Sequence, residues 1–367
     1  MIVVLYAQIY GVGGIARYLQ SLLKEVPNSE RVLVVCSDEQ MRDLNLGSHI
    51  EFLHLPMPRG RLGLVLWSLK TRFFLRDLAK KEAISLINLH IPPLIPGLFL
   101  PRVAQIWVTA HTTYLGMSGQ FYVPKQFDSQ WSAWSVEVKK IFERIIFAKA
   151  DRIITLTEQG RQEVLKYKFR KPIYILPNGV LVDQFSPADS EKDIDVIFVG
   201  RIEKRKGSRP MVDVCKALIE KDPDIKICIV GYGDDFDYVK AHLTPFSKNI
   251  ELAGKQPFEK VLSFYHRSKI YASTSYYEGL PGTCLEAMAV ELVPVVWDYL
   301  FYNGLVINNE TGRVIKPNDI EAFVSAIIDQ KSDSDGCRKI GASARRMVVN
   351  HYDWKKITLN LMDVLKE

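Results

Sequence analysis

The chain has 367 residues, of which 47% are hydrophobic, 11% aromatic and 25% charged, so its composition excludes a disordered, collagen-like or low-complexity chain and provides enough material for two domains. Its five cysteines are widely spaced without a C-x-x-C pair, which argues against a structural zinc site or a disulfide framework and favours a reducing compartment. The net charge of +6 comes from the N-terminal half, because residues 1–177 hold 23 Lys and Arg against 14 Asp and Glu.

The first eleven residues, MIVVLYAQIYG, are apolar but have no basic region ahead of the apolar run. We expect them to supply a first buried strand rather than a signal peptide. The longest apolar stretch, residues 91–108, contains four prolines and Arg102, which makes it a poor membrane span. The sequence therefore predicts a cytoplasmic protein, attached to the cytoplasmic face of a membrane at most peripherally.

Short β-branched runs alternate with amphipathic helical segments along nearly the whole chain. The predicted strands are residues 2–7, 31–36, 85–90, 104–111 and 152–157 and, after a linker rich in Pro, Asn, Asp and Ser at residues 177–193, residues 195–200, 226–231, 269–274 and 293–297. Continuous apolar strands separated by helices are typical of parallel sheets covered on both faces. The predicted fold class is therefore α/β, with two Rossmann-like, doubly wound domains that face each other across a cleft.

Two glycines, Gly13 and Gly14, follow the first predicted strand and precede a helix. Glycine lets the backbone approach a ligand, and a helix N-terminus offers unpaired N–H groups to an anion, although a tight turn explains the pair equally well. The pattern departs from the dinucleotide fingerprint, because Ala16 stands where the third glycine would be and no acidic residue ends the second strand. A nicotinamide dehydrogenase is therefore disfavoured.

Four cations, Arg201, Lys204, Arg205 and Lys206, follow the strand at residues 195–200 and precede a helix. At the carboxyl end of a strand, such cations could neutralise a diphosphate. A solvated basic turn is the alternative, and we prefer it for Lys204 and Arg205. Arg201 and Lys206 remain as candidate anion-binding residues.

The segment at residues 275–289, SYYEGLPGTCLEAMA, follows another predicted strand and contains two carboxylates. Glu278 is predicted to lie in the loop before a helix that starts near Pro281, and Glu286 further along that helix. Carboxylates in these places can accept hydrogen bonds from sugar or ribose hydroxyls, while the N–H groups of the turn hold phosphate. For an isolated pair, two surface glutamates would be the better interpretation.

Taken in order, these motifs resemble the retaining glycosyltransferases of family 4, the glycosyl transferases group 1. The resemblance covers essentially the full chain and rests on an ordered set: G-G (13–14), T-A-H (109–111), P-N-G (177–179), V-G-R-I (199–202), K-G (206–207), V-G-Y-G (230–233), E-G-L-P-G-T-C-L-E-A-M-A (278–289), N-E-T-G (309–312) and Trp354. It implies a GT-B fold, with an acceptor-binding domain at residues 1–177, a nucleotide-sugar-binding domain at residues 178–350, and a helix at residues 351–367 that returns to the first domain.

The resemblance also implies a role for each candidate residue in a hexosyltransferase-type reaction. Arg201 and Lys206 would stabilise the donor diphosphate, and His111 would contact the transferred sugar near the reacting centre. Glu278 would hold hydroxyls of that sugar, and Glu286 would hold the ribose. The donor would also be contacted by Gly14 and by the turn that contains Gly279, Leu280, Gly282 and Thr283. Retention would follow from proton transfer to the leaving phosphate, without a protein nucleophile.

Four D-x-D triplets, at residues 193–195, 222–224, 235–237 and 333–335, are interpreted as surface features, so we expect no catalytic metal and no other cofactor. Two positions depart from the family pattern: Leu181, where Asp is frequent, and Glu291, where a glycine is usual. They leave open altered donor recognition, or a catalytically degenerate GT-B protein that binds a nucleotide sugar or a partner without turnover.

The basic N-terminal half bears on the acceptor. Residues 59–81 interleave seven cations with apolar side chains, and an aromatic segment follows that includes Phe121, Tyr122, Phe127, Trp131 and Trp134. A helix packed on the first sheet followed by an aromatic loop explains these residues at least as well as a membrane-binding surface does. Because the resemblance places the acceptor on this domain, we expect a glycan or lipid-linked acceptor and an anionic membrane surface as partners, and no nucleic acid.

Overall fold

The computed structural model describes residues 1–7, 14–37, 46–60, 62–118 and 133–366. These residues form two units, one containing residues 1–118, 133–178 and 354–366 and the other residues 179–353. Gly13, Arg61 and the aromatic segment that precedes Trp134 lie outside the described residues.

The first unit is built on a parallel sheet of seven strands, in the order β3-β2-β1-β4-β5-β6-β7. Its strands are β1 (Ile2–Tyr6), β2 (Val32–Cys36), β3 (Ile50–His54), β4 (Leu86–Ile91), β5 (Gln105–Ala110), β6 (Arg152–Thr155) and β7 (Ile173–Ile175). The helices between them are α1 (Gly14–Lys24), α2 (Gly63–Lys81), α3 (Ile95–Phe99), α4 (Tyr114–Met117), α5 (Ala133–Lys149) and α6 (Glu158–Leu165). The strand order reverses at β1 and β4, which is where doubly wound sheets bind ligands.

The second unit repeats this architecture with six parallel strands, in the order β10-β9-β8-β11-β12-β13. Its strands are β8 (Ile194–Val199), β9 (Ile227–Val230), β10 (Ile250–Gly254), β11 (Ser268–Ser273), β12 (Val293–Trp297) and β13 (Arg313–Ile315). Its helices are α7 (Ser208–Lys221), α8 (Phe236–Leu243), α9 (Phe258–His266), α10 (Gly282–Ala289), α11 (Ile320–Ser332) and α12 (Ser334–His351).

The central strands of both sheets are buried along almost their whole length, as in β1 and β12, and each unit has its own apolar core. Burial on both faces is what continuous apolar strands require, so the predicted α/β class with two doubly wound sheets is confirmed. Four strands were not predicted from the sequence: β3, β7, β10 and β13. All four lie at the edges of their sheets and are largely half-buried or exposed.

The last helix, α13 (Trp354–Lys366), packs within the first unit against α1. The Trp354 ring is buried and meets the Tyr18 ring of α1 edge-on, with centroids 4.9 Å apart. An amphipathic helix that buries its aromatic start in this way is stabilised mainly by apolar contact. In the described part of the chain, no helix has the length and apolar character that a membrane crossing requires.

Candidate functional site

A pocket opens at the carboxyl edge of the second sheet, beyond the neighbouring strands β8 and β11. Its wall includes polar groups from the two segments that follow these strands: Gly200, Arg201, Lys206, Ser208, Ser273, Thr274, Ser275, Glu278 and Thr283. The structure thus brings together four of the predicted site residues, namely Arg201, Lys206, Glu278 and Thr283. Because parallel strands present their carboxyl ends at one edge, loops distant in sequence meet there.

Gly207 fixes the close approach of two of these loops. Its φ of +72° lies in the left-handed region, and a Cβ at this position would lie 1.9 Å from the backbone oxygen of Thr274. The Thr274 hydroxyl donates a hydrogen bond to the Gly207 carbonyl at 2.9 Å. Only glycine tolerates both the left-handed φ and the close approach of the Thr274 backbone, which explains why the basic turn ends in K-G. Helix α7 then begins at Ser208, beside the pocket.

Lys206 and Glu278 form an ion pair in the wall of the pocket. The Lys206 ammonium donates to Oε1 of Glu278, which also accepts a hydrogen bond from the Ser275 hydroxyl at 3.1 Å. Burial lowers the pKa of Lys206, and the charge of Glu278 opposes that shift. The pocket therefore presents a cation suited to an anionic ligand and a carboxylate suited to hydroxyl donors, side by side.

Arg205 holds the same two loops together. Its guanidinium donates to the Tyr277 carbonyl at 2.8 Å and to Glu203 at 2.6 Å, and its Nη1 lies 3.8 Å from Oε2 of Glu278. The prediction of a solvated turn is therefore wrong for Arg205, whose side chain is only 24% exposed. A cation that reaches back to backbone and carboxylate oxygens is ordered by them rather than by water.

Arg201 lies at the mouth of the pocket and is the most accessible of its cations. Its side chain is 66% exposed, and its nearest carboxylate contact is Oε2 of Glu203 at 3.6 Å. An exposed ion pair at that distance contributes little to stability. The guanidinium can therefore reorient toward an incoming anion at small cost.

Thr283 and Glu286 both lie on α10, but only Thr283 lines the pocket. The Thr283 hydroxyl shares a hydrogen bond with Tyr271 at 2.9 Å. Glu286 is buried and accepts a hydrogen bond from the Tyr265 hydroxyl at 3.1 Å. The other predicted residues of this segment do not line the pocket: Gly279 and Leu280 lie between Glu278 and α10, and Gly282 is the first residue of α10.

In the first unit, His111 follows β5 directly and lies beside His90, near the end of β4. Nδ1 of His90 is 3.0 Å from Nε2 of His111, and both side chains are buried. The Tyr18 ring meets His111 edge-on with centroids 4.6 Å apart. Burial lowers the pKa of His111 to about 3 and that of His90 well below its usual value, so both imidazoles are neutral at physiological pH.

Gly14, the other candidate of the first unit, is the first residue of α1. A Cβ at this position would meet no atom within 4 Å. Among the described residues, no contact therefore requires a glycine at this position. Its neighbour Gly13 lies outside the described residues.

Sequence reasoning missed several functional candidates. Ser273 and Ser275 belong to the S-T-S run at the end of β11, and two hydroxyls at a strand end are a recognisable, though weak, signal. The D-x-D triplets are also not all surface features. Asp195 is buried and paired with Lys269 at 2.8 Å, and buried Asp235 accepts a hydrogen bond from Ser208. Among the described residues, no cluster of three or more His, Cys, Asp or Glu side chains could hold a metal ion.

Two family models match consecutive parts of the chain. The Glycosyltransferase Family 4 model matches residues 12–184, and the Glycosyl transferases group 1 model matches residues 182–347. Together they span almost the whole chain, with the pocket of the second unit inside the second match.

The curated relatives include glycosyltransferases of bacteria and archaea. The chain is 28% identical over 233 residues to an uncharacterized glycosyltransferase of Methanocaldococcus jannaschii, a match that covers 59% of this chain and 58% of that protein. It is 24% identical over 373 residues to the UDP-Gal:alpha-D-GlcNAc-diphosphoundecaprenol alpha-1,3-galactosyltransferase of Escherichia coli, covering 96% and 93% of the two chains.

Solved structures share the fold over the full length of the chain. Sucrose-phosphate synthase of Thermosynechococcus elongatus superposes with a TM-score of 0.80 at 18% identity, covering 100% of this chain and 98% of that one. HepE of Anabaena, in complex with UDP and glucose, has a TM-score of 0.80 at 16% identity, covering 100% and 99%. At these identities the superpositions establish the fold alone.

Proposed function

The chain belongs to the glycosyl transferases group 1, and on that premise we propose that it transfers a sugar from a nucleotide-sugar donor to a glycan or lipid-linked acceptor, with retention of configuration and without a metal ion. Its two Rossmann-like units are those of the GT-B fold that the solved neighbours share. The observation that carries the proposal is the pocket of the second unit, where Lys206, Arg201 and Glu278 meet at the carboxyl edge of the sheet.

The diphosphate of the donor is proposed to bind Lys206 and Arg201. Phosphate oxygens carry full negative charge, and the half-buried Lys206 ammonium with the exposed Arg201 guanidinium supplies the compensating charge that a metal ion supplies elsewhere. The N-terminus of α7, which begins at Ser208 on the pocket wall, adds the positive end of the helix dipole. As the nucleoside diphosphate departs, these groups stabilise the negative charge that develops on it.

The sugar and ribose are proposed to bind the two glutamates. Glu278 lies within the pocket beside Lys206, where its carboxylate can accept hydrogen bonds from hydroxyls of the transferred sugar. Glu286 lies on α10 behind Thr283 and is proposed to hold the ribose. Glu278→Gln should therefore reduce transfer, whereas Glu286→Ala should weaken binding of the nucleoside portion; equal losses of nucleotide affinity in both variants would contradict this division.

Donor binding is tested by thermal shift with UDP, GDP and ADP in the presence of a chelator, because a ligand that binds only the folded state raises the unfolding temperature. We expect one nucleotide to stabilise the protein without metal. Lys206→Ala should abolish that shift, and Lys204→Ala, on the same turn but exposed, is the matched control. A shift that the chelator removes would refute metal independence, and a shift that survives Lys206→Ala would remove Lys206 from the site.

Transfer itself is tested with the nucleotide sugars of the stabilising nucleotide and a diphosphoundecaprenol-linked GlcNAc acceptor. The Escherichia coli relative, matched over most of both chains, is described as acting on such an acceptor. The anomeric configuration of the product, read by NMR, decides between retention and inversion. Donor binding without transfer to this acceptor or to soluble glycans would instead favour a binding protein without turnover.

The membrane part of the proposal is supported by exposed apolar side chains on two helices of the first unit. On α2 and the residue before it, Leu62, Leu66 and Phe73 are 67%, 46% and 60% exposed, at spacings of four and seven that place them on one helix face. Cations on the same helix, Lys70, Arg76, Lys80 and Lys81, are also exposed. Apolar side chains with flanking cations suit an anionic bilayer surface.

Helix α5 has the same pattern. Trp134, Ile141 and Ile145 are 77%, 57% and 40% exposed and are spaced by seven and four residues. The protein should sediment with anionic vesicles at low salt. Sedimentation should decrease at high salt, because salt screens the charges, and with neutral vesicles, because they do not attract the cations. Phe73→Ser should weaken it, whereas Leu359→Ser, an exposed leucine of α13, should not. A protein that stays in solution with both vesicles refutes the membrane proposal and leaves the transferase proposal intact.

A further inference from the structure

The contact between His90 and His111 allows only one proton between the two rings. Nδ1 of His90 and Nε2 of His111 are 3.0 Å apart, with ring centroids 5.3 Å apart, at the ends of the adjacent strands β4 and β5. A neutral imidazole has one N–H and one bare nitrogen, so one ring must donate and the other accept. Whichever ring donates therefore has a bare second nitrogen, and the ring that accepts has its proton on its second nitrogen.

The surroundings of His90 decide between the two arrangements. Its Nε2 is fully buried and has no hydrogen-bond partner in the described part of the chain. If His111 donated, His90 would have to carry its proton on this unpartnered Nε2, and buried N–H groups without partners are rarer in proteins than buried acceptors without them. If His90 donates from Nδ1, only a bare nitrogen is left at that position.

We infer that His90 is a positioning residue, which donates its Nδ1–H to Nε2 of His111 and thereby holds His111 in the tautomer that carries its proton on Nδ1. The inference rests on the proposed function only in that His111 is taken to contact the donor sugar. Because Nε2 of His111 faces His90, any hydrogen bond to a ligand must use Nδ1. His111 would then donate a hydrogen bond to a sugar hydroxyl or phosphate oxygen, and it would not act as a base through that nitrogen.

Aromatic packing holds the pair in this orientation. Tyr18 of α1 lies against both rings, with centroids 4.6 Å from His111 and 5.7 Å from His90, and its other side meets Trp354 of α13. The His111 backbone N–H also donates to the Ile91 carbonyl at 3.1 Å. A ring held between strand ends and an aromatic side chain is already ordered in the folded protein, so ligand binding loses no further conformational entropy of this side chain.

The test is a long-range nitrogen–proton NMR correlation of the full-length protein with isotope-labelled histidine, which reports the protonated nitrogen of each ring without any substrate. The His111 signals are assigned by their loss in His111→Gln. We expect the Nδ1–H tautomer for His111, unchanged between about pH 6 and 8 because burial keeps the ring neutral. The more common Nε2–H tautomer, or titration of His111 in this range, would overturn the inference.

Two variants separate positioning from simple packing. His90→Asn places an amide N–H near the position of Nδ1 and should keep the Nδ1–H tautomer of His111, whereas His90→Leu, which fills the space without a donor, should release it to Nε2–H. In the transfer assay, kcat should fall about tenfold in the leucine variant, the size of one lost hydrogen bond, and recover in the asparagine variant. Equal tautomers in both variants would overturn the inference. Absence of nucleotide binding in the wild type would refute the proposed function but not the tautomer assignment.

Discussion

Replacing Glu278 with Gln should strengthen the binding of a free nucleoside diphosphate while it reduces sugar transfer. In the structure, the Lys206 ammonium donates to the Glu278 carboxylate in the wall of the same pocket. The cation proposed to bind phosphate is therefore already neutralised by a neighbour. Glutamine has the same shape and can still accept a hydrogen bond, but it removes the competing charge.

The magnitude follows from the strength of that ion pair. A hydrogen bond to a charged group contributes about 1.5–3 kcal/mol, and the Lys206 side chain is only 22% exposed, so solvent screens the pair weakly. Because the three N–H groups of the ammonium are shared between ligand and Glu278, about half of this contribution competes with phosphate. Removing the competition should tighten binding by about 0.8–1.5 kcal/mol, which is about 4- to 12-fold.

The gain should depend on pH. Burial lowers the pKa of Lys206 and Glu278 opposes the shift, so Glu278→Gln should lower that pKa further. The contribution of a cation to anion binding is present below its pKa and is lost as the pH rises through it. The variant should therefore lose affinity at a lower pH than the wild type does.

Isothermal titration with the nucleotide found by thermal shift, at several values between about pH 6.5 and 9.5, measures both effects. Glu220→Gln, an exposed glutamate of α7 outside the pocket, is the control for the change in net charge. Unchanged or weaker nucleotide binding by folded Glu278→Gln near neutral pH would refute the reasoning. It would mean that Lys206 and Glu278 act as one unit that the ligand does not separate.

Three further changes test the stability of the fold. Gly207→Ala should lower the free energy of unfolding by at least about 2 kcal/mol in urea melts, because its Cβ would overlap a backbone oxygen. Gly304→Ala is the control: Gly304 also has a positive φ, of +78°, but open space around it, so this change should lower the free energy of unfolding by only about 1 kcal/mol. Burial raises the pKa of the Glu143 carboxyl to about 7, above its pKa in the unfolded chain. The stability that it contributes is therefore fully present below the unfolded pKa and is lost as the pH rises through the folded pKa. Between about pH 6 and 8, the free energy of unfolding should fall by about 1 kcal/mol more in the wild type than in Glu143→Gln. Glu291 has a φ of +66°, so Glu291→Gly should raise the unfolding free energy by about 1 kcal/mol, and an unchanged midpoint would show that its side chain compensates the strain.

The strands that the sequence predicts are the buried ones. Every residue of β1 and β12 is buried, and such strands appear in the sequence as continuous apolar runs. β3, with the sequence IEFLH, and β10, with IELAG, place a glutamate on the exposed side and pair with one neighbour only. β7 and β13 have three residues each. Edge strands carry less apolar surface, so periodicity cannot distinguish them from loops.

The pocket of the second unit was predictable for a related reason. Lys206 directly precedes Gly207, whose left-handed φ restricts the residue type, and Glu278 opens the E-G-L-P-G segment after β11. Arg205 was misassigned because a basic turn has the same appearance in sequence whether its cations are solvated or, as here, bonded to a loop 72 residues away. Only the strand order brings those loops together.

The role inferred for His90, in contrast, could not be predicted from the sequence. Nothing in SLINLH distinguishes a histidine that packs in a core from one that orients another histidine, since both require burial at the end of a strand. The distinction depends on the register of β4 with β5, which pairs His90 with Thr109 and places His111, directly after β5, within 3.0 Å of the His90 ring. A residue that acts through a cross-strand neighbour is defined by pairing between segments, and local sequence carries no record of that pairing. Positioning residues of this kind are therefore found only once the strand order and register are known, whereas residues proposed to bind phosphate, such as Lys206 beside Gly207, can be found before.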